Sequence, residues 1–172
     1  MTIPHPMTTP PDEKDVFITR VFDAPRELVF QAWTDPRHLE QWYAPHGCST
    51  HFRKLEFRVG GSYHSCIRIP SGHECWCRGD YLEIVPPERI VFTMAVADAE
   101  GNLADPAQMG MDTDWPPTTV VTVTFTEKHG QTEMTLHQTV RESLARKTGA
   151  YPSWLQMLDR LAAELATAAA LR

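Results

Sequence analysis

Residues 74–97, ECWCRGDYLEIVPPERIVFTMAVA, decide the fold of this chain. The segments at 74–85 and 89–97 are rich in β-branched and aromatic residues, which is typical of β-strands. Pro86-Pro87 stands between them, and proline cannot continue a paired strand because it has no N–H to donate. The pattern predicts two antiparallel strands joined by a short connection.

Similar strand pairs flank this one. Residues 50–58 and 62–69 precede it and are separated by Gly60-Gly61, while residues 119–126 and 132–140 follow it. Short turns suit antiparallel neighbours, so the six strands should form a meander. A further strand is predicted at residues 16–22, which makes about seven antiparallel strands.

Helical patterns stand at two places. After the first strand, Leu28, Val29, Ala32 and Trp33 recur at helical spacing, with Asp23 as the candidate cap, and a second short helix is predicted at 36–41.

The C-terminal segment, about residues 152–169, places Trp154, Leu158, Leu161 and Leu165 on one face. The predicted fold class is therefore α+β, with a curved sheet around a long C-terminal helix and the Trp154 to Leu165 edge packed against the sheet.

Composition limits the function. The chain has 172 residues, and its 16 Lys and Arg against 22 Asp and Glu give a net charge of -6. The sequence has no run of basic residues suited to binding nucleic acid or lipid headgroups. Residues 1–15 are interpreted as a flexible Pro-rich leader and 16–172 as one domain. No pattern of a signal peptide or membrane span is present, so we expect a cytoplasmic protein with reduced thiols.

Four segments carry a family resemblance: ITRVFDAPRELVFQAWTDPRHLEQWYAP (18–45), FRVGGSY (57–63), GDYLEIVPPERIVFT (79–93) and WLQMLDRLAAEL (154–165). They resemble the heat-shock protein 90 ATPase activator-like branch of the START/Bet v 1 (SRPBCC) superfamily. The resemblance implies a helix-grip fold, in which seven strands wrap around the terminal helix and many members enclose a cavity. It does not imply one activity, since relatives include co-chaperone domains, lipid and hormone carriers and aromatic-polyketide cyclases.

Strand alternation assigns the side chains of the concave face. With aromatic and helix residues added, the expected ligand-binding set is Trp42, Tyr63, Ser65, Ile67, Trp76, Phe92, Met94, Val121, Val123, Met134, Leu136, Gln138, Trp154, Met157, Leu158 and Leu161. The alternative is that these residues pack a solid core.

A cavity on the order of 300 Å³ or more is expected between the terminal helix and the strands carrying Tyr63, Phe92 and Leu136. Gln138 needs a polar partner there, which a ligand, a trapped water or solvent at the strand end would supply. The long connection at 97–117 carries Met109, Met111 and Trp115 and is a candidate lid, bordering the opening together with Trp42. Its alternative is a surface excursion with its large side chains against the sheet.

Thiols and imidazoles raise a metal hypothesis. His46, Cys48 and His51 lie close together in sequence, and Cys75 and Cys77 are two residues apart. The spacing is not that of paired CxxC motifs, so we expect free thiols, no metal and no cofactor.

No catalytic motif is recognisable. If the protein were an enzyme, Glu83 and His137 would be the acid–base candidates and Tyr63 would hold a substrate oxygen. The expected function is binding of a small apolar or aromatic molecule in an internal cavity. The alternatives are a cofactor-independent aromatic polyketide cyclase-like enzyme and a chaperone-linked protein-interaction module, and the sequence leaves the oligomeric state open.

Overall fold

A computed structural model describes residues 14–170, with side chains up to residue 168. It confirms the predicted α+β class: one seven-stranded antiparallel sheet has the order β1-β7-β6-β5-β4-β3-β2. The strands are β1 (Asp15–Phe22), β2 (Ser49–Leu55), β3 (Ser62–Arg68), β4 (Glu74–Val85), β5 (Arg89–Ala97), β6 (Thr118–Lys128) and β7 (Gln131–Arg141). The helices are α1 (Arg26–Ala32), α2 (Pro36–Trp42), α3 (Glu142–Thr148) and α4 (Ala150–Ala170).

The hairpin of β4 and β5 has the predicted bounds, because the two prolines end one strand before the next begins. Gly79 in β4 lies opposite Tyr63 of β3. A Cβ at this glycine would overlap the carbonyl oxygen of Thr93 and lie 2.7 Å from Cε1 of Tyr63. The ring of Tyr63 therefore packs over Gly79, where the absence of a Cβ leaves room for it.

The two short helices differ in how they begin. The N-cap of α1 is Pro25 and makes no side-chain cap bond, so the predicted capping by Asp23, two residues earlier, is wrong. In α2, Asp35 accepts a hydrogen bond from the backbone N–H of Arg37 at 2.8 Å. The side-chain and backbone hydrogen bonds from Arg37 lower the pKa of Asp35 to about 2.

The link between sheet and terminal helix contains a helix that the periodicity did not predict. The short α3 follows β7 and is capped at its C-terminus by Gly149, whose left-handed φ of 89° suits a residue without Cβ. Arg146 and Lys147 in its last turn, followed by glycine, are the usual signal of a helix end. α4 then begins at Ala150, two residues before the predicted start.

The buried edge of α4 confirms the predicted packing. Leu158 and Leu161 are fully buried and Trp154 and Leu165 nearly so, all within the main core. The other side of α4 is tied to the chain before β2 through Arg160, whose guanidinium donates to the carbonyl oxygens of Ala44 at 2.7 Å and Gln41 at 2.9 Å.

β1 begins at Asp15, the last residue of the predicted leader, and residues 1–13 lie outside the described part. Among the described residues, no helix combines the length and the apolar character that crossing a bilayer requires.

Candidate functional site

The middle of the concave face is solid. Val121, Val123, Met134 and Leu136 are fully buried in the main core and line neither of the two pockets described below. Leu158 and Leu161 of α4 pack in the same core. These six residues of the predicted ligand-binding set therefore hold the helix to the sheet, as the solid-core alternative states.

An aromatic pocket lies toward one end of this face. Its cavity of about 20 Å³ is lined by Trp33, Tyr43, Tyr63, Tyr81 and Phe92, together with three further apolar side chains. The ring centroids of Tyr63 and Tyr81 each lie 6.1 Å from that of Phe92. Aromatic edges packed this way leave room for about one water molecule.

The hydroxyls of the aromatic pocket are neutral. The Tyr63 hydroxyl donates to the carbonyl oxygen of Thr93 at 2.8 Å. Burial raises the pKa of Tyr43 and of Tyr63 well above the ordinary value, because a phenolate there would lose its hydration. These groups act as hydrogen-bonding groups and not as bases at neutral pH.

A methionine pocket lies toward the other end, where the start of α4 and the long connection meet the sheet. Its cavity of about 180 Å³ is lined mainly by apolar groups, including Ile67, Met94, Met111, Trp115 and Met157. Cys77, Thr119, Gln138 and Ser153 add small polar groups to the wall. Burial raises the pKa of the Cys77 thiol to about 12, so it stays protonated.

Gln138 connects the pocket wall to the helix. Trp154 donates through Nε1 to Oε1 of Gln138 at 2.9 Å, and Nε2 of Gln138 donates to Oγ1 of Thr119 at 3.1 Å. The amide is buried and its partners are protein groups, so neither a ligand nor solvent is needed to satisfy it.

The long connection contributes two of the three predicted lid residues to the wall of the methionine pocket. Met111 and Trp115 line the cavity, whereas Met109 is exposed. The segment is fastened to α3 by an ion pair of 3.0 Å between Asp112 and Lys147. Trp115 is half-buried against the core.

Three residues of the predicted set lie elsewhere. Trp76 pairs with Cys66 and packs on the outer face with Ala97, so its place in the concave wall was wrong. Trp42 is fully buried, with its Nε1 donating to the carbonyl oxygen of Ala32, and it lines a groove between α1 and α4 and not the mouth of the methionine pocket. Ser65 is buried without lining either pocket.

The remaining members divide between the pockets. Tyr63 and Phe92 line the aromatic pocket, and Ile67, Met94, Gln138, Trp154 and Met157 line the methionine pocket. The expected single cavity on the order of 300 Å³ is wrong, since aromatic rings close one end and leave about 180 Å³ at the other. Sequence reasoning missed Trp33, although its helical spacing with Val29 marked it as inward-facing.

The three residues proposed for catalysis do not share one site. Glu83 is exposed and pairs with Arg89 at 3.2 Å. Nε2 of His137 lies 2.9 Å from a carboxylate oxygen of Asp15. Tyr63 points into the aromatic pocket. No arrangement for proton transfer to one substrate results, so the cyclase-like hypothesis gains no support from the geometry.

Within the described residues, the thiols and imidazoles do not form a metal-binding cluster. Cys48, Cys66, Cys75 and Cys77 are all free thiols. Within residues 14–170 no group of three or more His, Cys, Asp or Glu side chains is arranged to hold a metal ion. His51 packs edge-on against Trp76 on the outer face, with ring centroids 5.6 Å apart.

A polar depression elsewhere on the domain is a different kind of site. A polar groove of about 540 Å³ lies beside α3 and is lined by Asp15, Asp114, Thr139 and Lys147, among others. Charged walls of both signs open to solvent suit an apolar ligand poorly. The methionine pocket is the better candidate.

Comparison with known proteins agrees with this architecture. Residues 23–166 match the family described as Activator of Hsp90 ATPase homolog 1-like protein (AHSA1). The chain belongs to this AHSA1 family. No curated protein matches it at a significant level.

Several solved structures share the fold. A protein from Chromobacterium violaceum is 28% identical, with a TM-score of 0.72, over 87% of this chain and 95% of the other. One from Staphylococcus epidermidis is 27% identical, with a TM-score of 0.73, over 94% of both chains. The AHSA1 protein from Silicibacter pomeroyi, at 20% identity and a TM-score of 0.69, covers 90% of this chain and 99% of its own and shows the fold alone.

Proposed function

We propose that this AHSA1-family chain binds a small apolar or aromatic molecule in the methionine pocket. The observation that carries the proposal is a cavity of about 180 Å³ between the sheet and the start of α4, walled mainly by apolar side chains. Burial of apolar ligand surface there would supply the affinity, and the few polar groups of the wall would orient the ligand.

The size of the pocket limits the ligand. A protein cavity of about 150 Å³ accommodates benzene, so the methionine pocket suits a molecule of one ring or of two fused rings. Met94, Met111 and Met157 line it from three different elements. Because unbranched thioether side chains change rotamer readily, the pocket can adapt to ligands of somewhat different shape.

A titration with indole tests the proposal. Calorimetry and heteronuclear NMR on the full chain should show saturable binding, with chemical-shift changes at the residues of the methionine pocket. Ser153 lines the pocket from α4, so Ser153→Trp should fill the cavity and reduce the affinity at least tenfold.

Leu155→Trp is the matched control, because Leu155 is an exposed residue of the same helix. This variant should bind indole like the wild-type chain. Equal affinity of the folded Ser153→Trp variant, or shift changes confined to the groove between α1 and α4, would refute the proposed site.

A further inference from the structure

The wall of the methionine pocket contains four sulfur-bearing side chains. Met94, Met111 and Met157 contribute thioethers, and Cys77 contributes a thiol. Cys77 lies in β4, Met94 in β5 and Met157 in α4, while Met111 belongs to the connection between β5 and β6. A molecule in this cavity is therefore enclosed by sulfur-bearing residues from several elements.

The sulfur of Met94 has a defined place in this wall. Its Sδ lies 4.0 Å from Nε2 of Gln138, which is a weak contact between an N–H group and sulfur. Gln138 also lines the cavity, and its amide is held by hydrogen bonds with Trp154 and Thr119. The thioether of Met94 therefore lies beside a fixed amide of the pocket wall.

The same wall carries no charge. None of the described residues that line the methionine pocket is Asp, Glu, Lys, Arg or His. Burial keeps the Cys77 thiol protonated at neutral pH, and the Gln138 amide already has protein partners. An ionised ligand would lose its hydration here without gaining an ion partner, which makes its burial unfavourable. The pocket therefore suits uncharged molecules.

Sulfur also distinguishes between two kinds of apolar ring. A purely aliphatic wall attracts a saturated ring and an aromatic ring of similar size mainly by dispersion. A thioether adds a specific attraction to an aromatic ring, with the sulfur about 5 Å from the ring and often at its edge. Trp115 and Trp154 in the same wall add aromatic surfaces against which a further ring packs favourably.

We propose that the methionine pocket selects uncharged aromatic rings over saturated rings of similar size and over charged aromatic molecules, and that Met94 and Met157 determine the preference for aromatic rings. Both residues stand on regular elements, whose backbone holds a binding group more precisely than a loop does. This inference rests on the proposed function and narrows the chemical class of its ligand.

Toluene and methylcyclohexane test the selection, because each is a neutral six-membered ring with one methyl group. Combining Met94→Leu with Met157→Leu removes both sulfur atoms and keeps apolar side chains of similar volume. In this double variant, the dissociation constant of toluene should rise roughly threefold to tenfold, the worth of one or two sulfur–aromatic contacts. That of methylcyclohexane should change by less than about twofold.

Met109→Leu is the matched control, because Met109 is an exposed methionine of the same connection and does not line the pocket. It should leave both dissociation constants unchanged. A second readout needs no variant: in the wild-type chain, the ring current of toluene should shift the methyl resonances of Met94 and Met157, and methylcyclohexane should shift them much less. Benzoate, with a carboxylate in place of the methyl group of toluene, should shift neither.

The outcomes separate the two proposals. The selection is overturned if the double variant changes the two dissociation constants by the same factor, or if benzoate binds as tightly as toluene. It is also overturned if toluene leaves the Met94 and Met157 methyl resonances of the wild-type chain unchanged while indole binds. In each of these cases the methionine pocket remains a ligand site. If toluene, methylcyclohexane and indole all fail to bind, both proposals fall.

Discussion

Strands β3, β4 and β5 contribute side chains to both ends of the concave face. One end is nearly filled, whereas the other contains a cavity. In the aromatic pocket, Trp33, Tyr63, Tyr81 and Phe92 fill the space with rigid rings and leave about 20 Å³. In the methionine pocket, flexible side chains and the long connection leave about 180 Å³. In this domain, therefore, rigid rings at one end and flexible side chains at the other decide which end of the concave face is hollow.

The largest expected difference between the two ends is in stability. Phe92→Ala should lower the free energy of unfolding by about 3–5 kcal/mol, because it opens a void among rings that cannot collapse onto it. Met111→Ala, at the covered mouth of the methionine pocket, should cost less than about 1 kcal/mol. Urea denaturation of both variants measures the contrast. Equal losses would show that the two ends are equally well packed.

Gln138 joins the wall of the methionine pocket to α4 through its hydrogen bond with Trp154. Gln138→Leu keeps the volume and leaves Nε1 of Trp154 without its acceptor, so the free energy of unfolding should fall by about 1–3 kcal/mol. Gln131 is an exposed residue of the same strand, and Gln131→Leu should be nearly neutral. If the Gln138 variant is as stable as the control, the hydrogen bonds do not hold the helix to the wall.

A smaller effect is expected from the half-buried thiol of Cys77 in the methionine pocket. Burial raises the pKa of Cys77 from 9.0 to about 12. Below about pH 8 the thiol is protonated in both states, and its contribution to stability is complete. Between about pH 9 and 12 the unfolded chain loses the proton first, so stability falls as the pH rises.

Cys77→Ala should therefore lose about 1 kcal/mol less stability than the wild-type chain between pH 8 and pH 10. Denaturation curves at the two pH values check this. A parallel loss in the variant would mean that ionisation of Cys77 does not contribute.

How far the sequence predicts this molecule depends on how local the signal is. The end of β4 and the start of β5 followed from Pro86-Pro87, and the buried edge of α4 followed from its periodicity. Both signals lie within one element. The short helix α3 was missed because its seven residues are too few for a clear hydrophobic period.

The site was harder to predict because its chemistry arises between elements. Trp76 was added to the concave face as an aromatic residue and not by strand alternation, yet it faces outward beside Cys66 and His64. Gln138 was assigned to the correct face, but its partner Trp154 lies on another element and could not be inferred from alternation. The volume was overestimated because three tyrosines and Trp33 converge from separate segments.

The most direct test of the methionine pocket as a ligand site is a crystal structure of the chain with indole. The account predicts electron density for the ring among Met94, Met157 and Trp115, with the fold unchanged and the Trp154 to Gln138 hydrogen bond kept. Indole found only in the groove between α1 and α4 or on the outer face, with the methionine pocket collapsed around its own side chains, would contradict it.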